Sequence, residues 1–185
     1  FMFASMTRTE ALGGAKFWAD DYSNIDAFPA SVNNHTVAYT NGDNFTTIFN
    51  QDGTTWGFTG GTGDDVANIM WGNGSMGVTF GLGMSPEDDT VTPTAEAETT
   101  YDIGFGMPLA GMDFGFTYGM GCDECGGGDV GINLRRAQNI WLFENILVGF
   151  NMGMEEKTDA VITTASSMGL STHLYRNHID QVKLV

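Results

Sequence analysis

The chain has 185 residues, of which 42% are hydrophobic, and a formal net charge of −16 from 23 acidic and seven basic residues. That length suffices for one domain with a sizeable core or for a modest barrel, and the hydrophobic content excludes global disorder. The negative charge argues against nucleic-acid binding, which requires basic patches. Apolar residues are dispersed, without an unbroken run of about 18, so the sequence predicts no membrane-spanning helix. A membrane barrel stays open, because its hydrophobicity lies at alternate positions.

Residues 1–34 do not show the pattern of regular strands, and we expect an irregular, plug-like segment there. The runs Thr9–Gly14 and Asp20–Asn24 are rich in turn-forming residues, and Pro29 prevents ladder pairing nearby. The opening residues Phe1–Ser5 contain neither the charged region nor the apolar core of a targeting sequence. We therefore expect the numbering to start at a mature or truncated end.

Strand candidates follow one another from His35 onward, and we assign residues 35–185 to the strands and loops of a β domain. They are recognised by alternation of apolar and polar residues and by turn-forming residues at their ends. The predicted strands are His35–Thr40, Phe45–Asn50, Thr54–Thr59, Val66–Trp71, Gly74–Met84, Thr100–Met107, Gly111–Gly121, Asp129–Arg136, Ile140–Met154, Ala160–Thr164 and Leu170–Arg176.

Two of these strands, Gly74–Met84 and Gly111–Gly121, alternate almost without error between apolar side chains and Gly, Ser, Thr or Asp. Strands of soluble proteins have about 5–6 residues, whereas a tilted strand that crosses a bilayer needs about 9–11. The pattern therefore predicts an all-β fold, an antiparallel meander closed as a transmembrane β-barrel. The side chains predicted to face lipid are Met76, Val78, Phe80, Leu82, Met112, Phe114, Phe116 and Tyr118.

Glycine, with 26 residues, occurs inside the predicted strands as well as between them. Interior glycine weakens a strand unless curvature or a close approach requires it, and barrels require curvature. Because glycines opposite the apolar side leave space, we expect a wide or plugged barrel. Asp52-Gly53 and Asn73-Gly74 predict tight hairpin turns, whereas Ser85–Glu98 is a longer acidic connection. Short turns at one end and longer polar loops at the other are typical of outer-membrane barrels.

Cys122 and Cys125 form a Cys-x-x-Cys motif at a predicted loop tip, and three interpretations stay open. A short loop disulfide in an oxidising compartment is favoured over free thiols and over a metal site. A structural zinc site needs four ligands, and no second cysteine pair or suitably spaced histidine follows. Gly60–Asp65 matches one copy of a calcium-binding repeat, but such repeats need stacked copies. We predict a polar hairpin loop at that position, and neither a metal site nor a cofactor in the chain.

The charged residues allow two kinds of interpretation, a structural one and a functional one. We interpret the acidic clusters as solvated loops, with divalent-cation binding as the alternative. In a strand, Arg135 and Arg136 point to opposite faces, so one of them would point into a lumen. That arginine either tunes a pore or closes a polar network, or else it forms an ordinary salt bridge. No constellation of base, nucleophile and stabilising group is recognisable, so we predict that the chain is not an enzyme.

The run Arg8–Ala15 is followed by Asp20–Asn24 and then by Ala27–Ala30. Over residues 8–32, this order resembles the N-terminal region of bacterial outer-membrane β-barrel proteins related to the FadL transporters of hydrophobic compounds and to PorV-like proteins. In that family, an Arg-x-x-small-Leu/Met-Gly-Gly-Ala run precedes an Asp-Asp/Ala-small-Asn stretch and an aromatic-Asn-Pro-Ala motif. The resemblance implies passive uptake of hydrophobic small molecules or a scaffold role in the outer membrane.

The chain departs from that family in three ways. Phe28 directly precedes Pro29, where the family carries an intervening Asn, and the chain is shorter than typical members. Its last residues are Lys183-Leu184-Val185, whereas the final strand of a barrel is expected to end in an aromatic residue. We therefore expect either a smaller barrel or an incomplete part of a larger one.

The sequence predicts an outer-membrane barrel that acts as a porin, a hydrophobic-compound channel or a structural barrel. The expected partners are outer-membrane lipid, hydrophobic small molecules and divalent cations at the acidic loops, with no nucleic acid. Homo-oligomers or larger assemblies stay open. The alternative is a secreted or surface-layer acidic β-sandwich or filament subunit, in which the apolar faces of the sheets pack on each other.

Overall fold

The computed structural model describes residues 22–40, 44–61, 65–85, 98–120, 128–136, 145–155 and 165–175. Within them, two 3₁₀ helices, Tyr22–Asn24 and Pro29–Asn34, precede ten strands that form one sheet in sequence order. No helix of this described part is long and apolar enough to cross a membrane. The strands are β1 (Val37–Thr40), β2 (Asn44–Gln51), β3 (Thr54–Gly61), β4 (Asp65–Gly72), β5 (Gly77–Ser85), β6 (Glu98–Leu109), β7 (Met112–Met120), β8 (Gly128–Arg136), β9 (Asn145–Glu155) and β10 (Ala165–Tyr175).

Each strand pairs antiparallel with the next, so the predicted all-β antiparallel meander is confirmed. Strands β1 and β10 lie at the two edges of the sheet, which is not closed across them in the described residues. The last predicted strand extends further towards the N-terminus, since β10 begins at Ala165. The predicted strand Ile140–Met154 corresponds to β9 from Asn145 onward, and residues 140–144 lie outside the described residues. The predicted strand Ala160–Thr164 lies outside the described residues.

Three hairpin connections at one end of the sheet are short, and Asp52-Gly53 and Asn73-Gly74 predicted two of them. The fourth connection at this end, residues 137–144, lies outside the described residues. Asp52 and Gly53 have φ values of 52° and 82°, which are typical of a two-residue type I′ turn. Asn73-Gly74 lies within the β4–β5 connection, where the Asn73 side chain accepts hydrogen bonds from the N–H groups of Ser75 (3.1 Å) and Met76 (2.9 Å). The β6–β7 turn also has two residues, with Ala110 and Gly111 at φ values of 52° and 76°.

Alternation along the strands divides the sheet into two faces of different composition. We call them the apolar face, which carries most of the aromatic and aliphatic side chains, and the glycine face, which carries mainly Gly, Thr, Asn, Ser and Asp. Ile48, Met70 and Leu147 are apolar residues that lie on the glycine face. In the register, Val78, Phe80 and Leu82 of β5 lie opposite Phe105, Ile103 and Tyr101 of β6. On the other face, Gly77, Thr79 and Gly81 lie opposite Gly106, Gly104 and Asp102.

Residues Tyr22–Asn34, the covering segment, lie on the glycine face. The second 3₁₀ helix of this segment contacts β3, β4, β5, β6 and β7. Ile25 and Val32 are buried against Ile48 of β2 and Met70 of β4, with Tyr22 and Val37 packed around them. The hydrophobic core of the described part therefore lies between the covering segment and the sheet.

Candidate functional site: the two faces of the sheet

Seven of the eight side chains predicted to face lipid lie on the apolar face. Phe116 of β7 lies between Phe105 of β6 and Ile132 of β8 in the register. Tyr118 of β7 lies in the same way between Ile103 of β6 and Val130 of β8. Phe114 and Met112 continue the same side of β7. The eighth residue, Met76, precedes β5 in the β4–β5 connection, where its carbonyl oxygen accepts hydrogen bonds from Asn73 and Asn33.

The apolar face runs across the whole sheet as an exposed band. Leu170 and Met168 of β10 are 75% and 74% exposed. Neighbouring rings touch along the band, with ring centroids 6.3 Å apart for Phe49 and Phe58 and 6.5 Å apart for Phe80 and Tyr101. Exposed apolar area on this scale marks an interaction surface rather than a solvated one. Its exposed large side chains are Phe45, Phe49, Trp56, Phe58, Ile69, Phe80, Met84, Tyr101, Ile103, Leu109, Met120, Met168, Leu170 and Leu174.

Glycines on the opposite face bring the backbone of the covering segment directly against the sheet. A Cβ atom at Gly115 would collide with the carbonyl oxygen of Ala27, and one at Gly77 would collide with that of Pro29. A Cβ atom at Gly106 would lie only 2.9 Å from the Pro29 nitrogen, closer than real Cβ atoms approach their neighbours. These three glycines are therefore needed for close approach.

Asn33 attaches the covering segment to the β4–β5 connection. Its side-chain nitrogen donates to the carbonyl oxygens of Ala30 and Met76, both at 3.0 Å. Its side-chain oxygen accepts a 2.8 Å hydrogen bond from the N–H of Gly74. Two of these hydrogen bonds join the second 3₁₀ helix to the turn, and the third lies within the helix.

Arg135 joins the other side of the covering segment to the sheet. Its guanidinium carbon lies 4.2 Å from the centroid of the Phe28 ring, within the range of a cation–π interaction. Its Nε donates to Oδ2 of Asp113 at 2.9 Å, and its Nη2 lies 2.8 Å from the same oxygen. The Arg135 side chain is 1% exposed, whereas that of Asp113 is 45% exposed. We call Phe28, Arg135 and Asp113 the arginine contact.

The arginine contact settles one of the sequence alternatives. Arg135 and Asp113 are direct cross-strand partners of β8 and β7, and both lie on the glycine face. Arg136 follows on the opposite face by strand alternation. The arginine on the glycine face therefore does form a salt bridge, and the same side chain also contacts the covering segment.

In the described part of the chain, two cavities lie on the glycine face, one on each side of the covering segment. The first, of about 240 Å³, lies towards the longer loops, with Tyr22 and Asp26 of the covering segment and Thr46, Asn68 and Asp102 of the strands in its wall. The second, of about 160 Å³, lies at the short-turn end beside Phe28, Ser31, Asp113 and Arg135. The two share no described lining residue, so the covering segment separates them.

Most of the remaining sequence candidates for metal or redox chemistry lie outside the described residues. Cys122 and Cys125 lie outside the described residues, as do the acidic residues 86–97 between β5 and β6. Among the residues that are described, no group of three or more His, Cys, Asp or Glu is placed to hold a metal ion. Gly60 and Gly61 end β3 and Asp65 begins β4, so that motif spans a hairpin connection.

The sequence predicted a plug-like segment over residues 1–34, but not the particular contacts that the covering segment makes with the glycine face. The glycines opposite the apolar side chains were expected to leave space, and Ala27–Ala30 fills that space with backbone. The sequence did contain one indication of these contacts. A proline-containing stretch without strand pattern occurs in the same chain as strands in which alternate residues are glycine. The contact between Phe28 and Arg135 has no local pattern, because it joins positions more than 100 residues apart.

No protein-family model matches this chain, and the comparisons with curated proteins and with solved structures gave no significant match. The resemblance of residues 8–32 to FadL-related and PorV-like proteins therefore stays a prediction.

Proposed function

We propose that this protein is a non-enzymatic β-barrel of a bacterial outer membrane, in which lipid contacts the apolar face and the glycine face lines the lumen. The observation that supports this best is the exposed apolar band, which extends over the sheet from Phe45 of β2 to Leu174 of β10. Lipid chains cover such an apolar band without a protein partner, and the alternate residues then line a polar interior. The strands after β1 have 8 to 12 residues, close to what a tilted strand needs to cross a bilayer.

In this proposal, the covering segment is a plug in the lumen. It occupies the polar side of the sheet, and it separates a cavity at the longer-loop end from one at the short-turn end. In outer-membrane barrels, the longer loops face outward and the short turns face the periplasm. The barrel is therefore closed at rest, as suits a channel for hydrophobic compounds or a structural barrel better than an open porin. Closure of the wall requires that the edges at β1 and β10 be paired, which removes free strand edges.

Extraction and gel migration test this proposal. The protein should remain with the membrane fraction in buffer and salt, and it should be released by detergent. It should then migrate differently on a gel before and after boiling, because a closed barrel resists unfolding by the gel detergent. Recovery as a soluble, folded protein without detergent would contradict the barrel. That result would support the sandwich or filament, in which apolar faces of two sheets cover each other.

A further inference from the structure

Arg136 is the only lysine or arginine that the described residues place on the apolar face. It is the last residue of β8, at the end of the sheet that has the short turns. The preceding Arg135 lies on the glycine face, and the register sets Arg136 opposite Ile146 of β9. A single positive charge therefore lies on the surface that lipid contacts in the proposed barrel.

The row of side chains around Arg136 is otherwise apolar, and it ends the apolar face across β6 to β10. We call this row the short-turn rim, and it consists of Leu109, Met112, Arg136, Ile146 and Leu174. Leu109 and Leu174 are 48% and 50% exposed. None of the four apolar neighbours carries a negative charge, so the rim supplies no counter-charge to the guanidinium.

The guanidinium of Arg136 is also not neutralised elsewhere. Within the residues that the structure describes, it forms no ion pair, and its Nε is buried without a hydrogen-bond partner. A buried donor without an acceptor costs free energy, and more so when the donor is charged. The side chain as a whole is only partly buried, and Nε alone is both buried and unpaired, so the Nη groups stay accessible. These groups can reach an anionic acceptor outside the described chain.

In the proposed barrel, Arg136 lies close to the depth of the lipid headgroups. Ile132 is the middle residue of β8, and Arg136 follows it by four residues. At a rise of about 3.3 Å per residue and a tilt of about 40°, these residues span about 10 Å of membrane depth. The apolar band of such barrels is about 25 Å tall, so its edge lies about 12 Å from the centre. A long arginine side chain extends its charged end to that level while its stem stays in the apolar region.

Two tryptophans mark the same end of the apolar face. Trp56 of β3 lies three residues after Gly53, and its cross-strand partner Trp71 of β4 lies two residues before Asn73. Tryptophan is enriched at the headgroup level of membrane proteins, where its ring contacts both lipid chains and polar groups. The short turns therefore lie near the headgroups, in agreement with the depth of Arg136.

We propose that Arg136 binds the phosphate of an anionic phospholipid in the periplasmic leaflet. The planar guanidinium fits a phosphate, because two parallel N–H groups donate to two oxygen atoms. The periplasmic leaflet is the one that the short turns of outer-membrane barrels face. This inference rests on the proposed function, because it requires the apolar face to lie in a bilayer.

Native mass spectrometry of the detergent-released protein tests this phosphate site. The association constant of the first bound lipid is measured for phosphatidylglycerol and for diacylglycerol with the same acyl chains, which lacks the phosphate. The ratio of the two constants should be about fivefold lower in Arg136→Gln than in the wild type, the contribution of one arginine at an anionic surface. Excess inorganic phosphate should leave the ratio unchanged, because a free anion makes no acyl-chain contacts.

Asn73→Asp is the control for net charge, since it also makes the protein more negative by one unit. Asn73 is exposed in the β4–β5 connection, at the same end of the sheet. Its side-chain oxygen accepts hydrogen bonds from Ser75 and Met76, and an aspartate keeps that acceptor. This variant should change the ratio less than twofold. Heat-modifiable migration of each variant establishes that it has folded.

The outcomes separate this inference from the proposed function. An unchanged ratio in Arg136→Gln, with the protein still retained in membranes, would overturn the phosphate site and leave the barrel intact. An equal loss in Asn73→Asp would also overturn the site, because the effect would then be one of net charge. Competition by inorganic phosphate would show a site for free anions and overturn the lipid assignment. Recovery of the wild type as a soluble protein without detergent would contradict the barrel itself, and the lipid site with it.

Discussion

The apolar face and the glycine face are built from alternate residues of the same strands, yet they make different demands on the sequence. On the apolar face, Phe105, Phe116 and Ile132 lie side by side across three strands, and any large apolar residue would serve there. On the glycine face, Gly115 and Gly106 lie against particular backbone atoms of Ala27, Pro29 and Ala30. One face is specified by hydrophobicity alone, whereas the other is specified by shape. The two faces should therefore respond in opposite ways to added side-chain volume.

The largest effect is expected from a side chain added beneath the covering segment. Gly115→Val should lower the free energy of unfolding by about 3 kcal/mol, because its side chain would displace the backbone at Ala27. Gly119→Val is the matched control, since it lies on the same strand and face but has no atom within 4 Å of its would-be Cβ. It should change the stability by less than about 0.5 kcal/mol. Denaturant unfolding in detergent measures both, and equal losses would show that shape does not specify this face.

A smaller effect is expected where the covering segment is joined to the sheet by hydrogen bonds. Asn33→Ala removes two of them, to Gly74 and Met76, together with one hydrogen bond to Ala30 within the segment. The free energy of unfolding should fall by about 2 kcal/mol. Asn34→Ala, at the next and exposed position, should be nearly neutral. If the two variants unfold at the same denaturant concentration, the amide of Asn33 does not hold the segment.

The smallest effect on the free energy of unfolding is expected at the β6–β7 turn, which belongs to neither face. Ala110 has a φ of 52°, a left-handed conformation that costs most residues about 1–2 kcal/mol. Ala110→Gly should therefore raise the free energy of unfolding by about 0.5–1 kcal/mol, after the greater entropy of the unfolded glycine is subtracted. The same change at the exposed strand residue Ala38 should lower it by about 0.5–1 kcal/mol. A loss of stability at both sites, read from thermal unfolding, would contradict the assigned turn geometry.

Sequence reasoning reached the features that depend on local pattern. Alternation in Gly74–Met84 and Gly111–Gly121 predicted β5 and β7 to within three residues, and Asp52-Gly53 predicted its turn. The connection at Asn73-Gly74 was predicted for the same reason, because turn dipeptides are local signals.

The features that sequence reasoning did not reach depend on contacts between distant residues. Nothing near Pro29 shows that it will lie on Gly77 and Gly106, and nothing near Arg135 indicates that Phe28 will stack on it. The two 3₁₀ helices are also too short to show a periodic pattern in a stretch predicted only as irregular. The fold class was therefore accessible from the sequence, whereas the covered part of the glycine face was not.

The central claim is that lipid contacts the apolar face, and paired lysine substitutions at adjacent positions of β7 test it most directly. Phe116 lies at the centre of β7 on the apolar face, and Thr117 follows on the glycine face. A lysine that faces lipid at the bilayer midplane costs about 2–4 kcal/mol, whereas one that faces a polar lumen costs little. The readout is the fraction of heat-modifiable protein that is inserted into liposomes. By this measure, Phe116→Lys should insert poorly and Thr117→Lys should insert like the wild type. Normal insertion of Phe116→Lys, or failure of Thr117→Lys alone, would contradict the assigned orientation of the sheet.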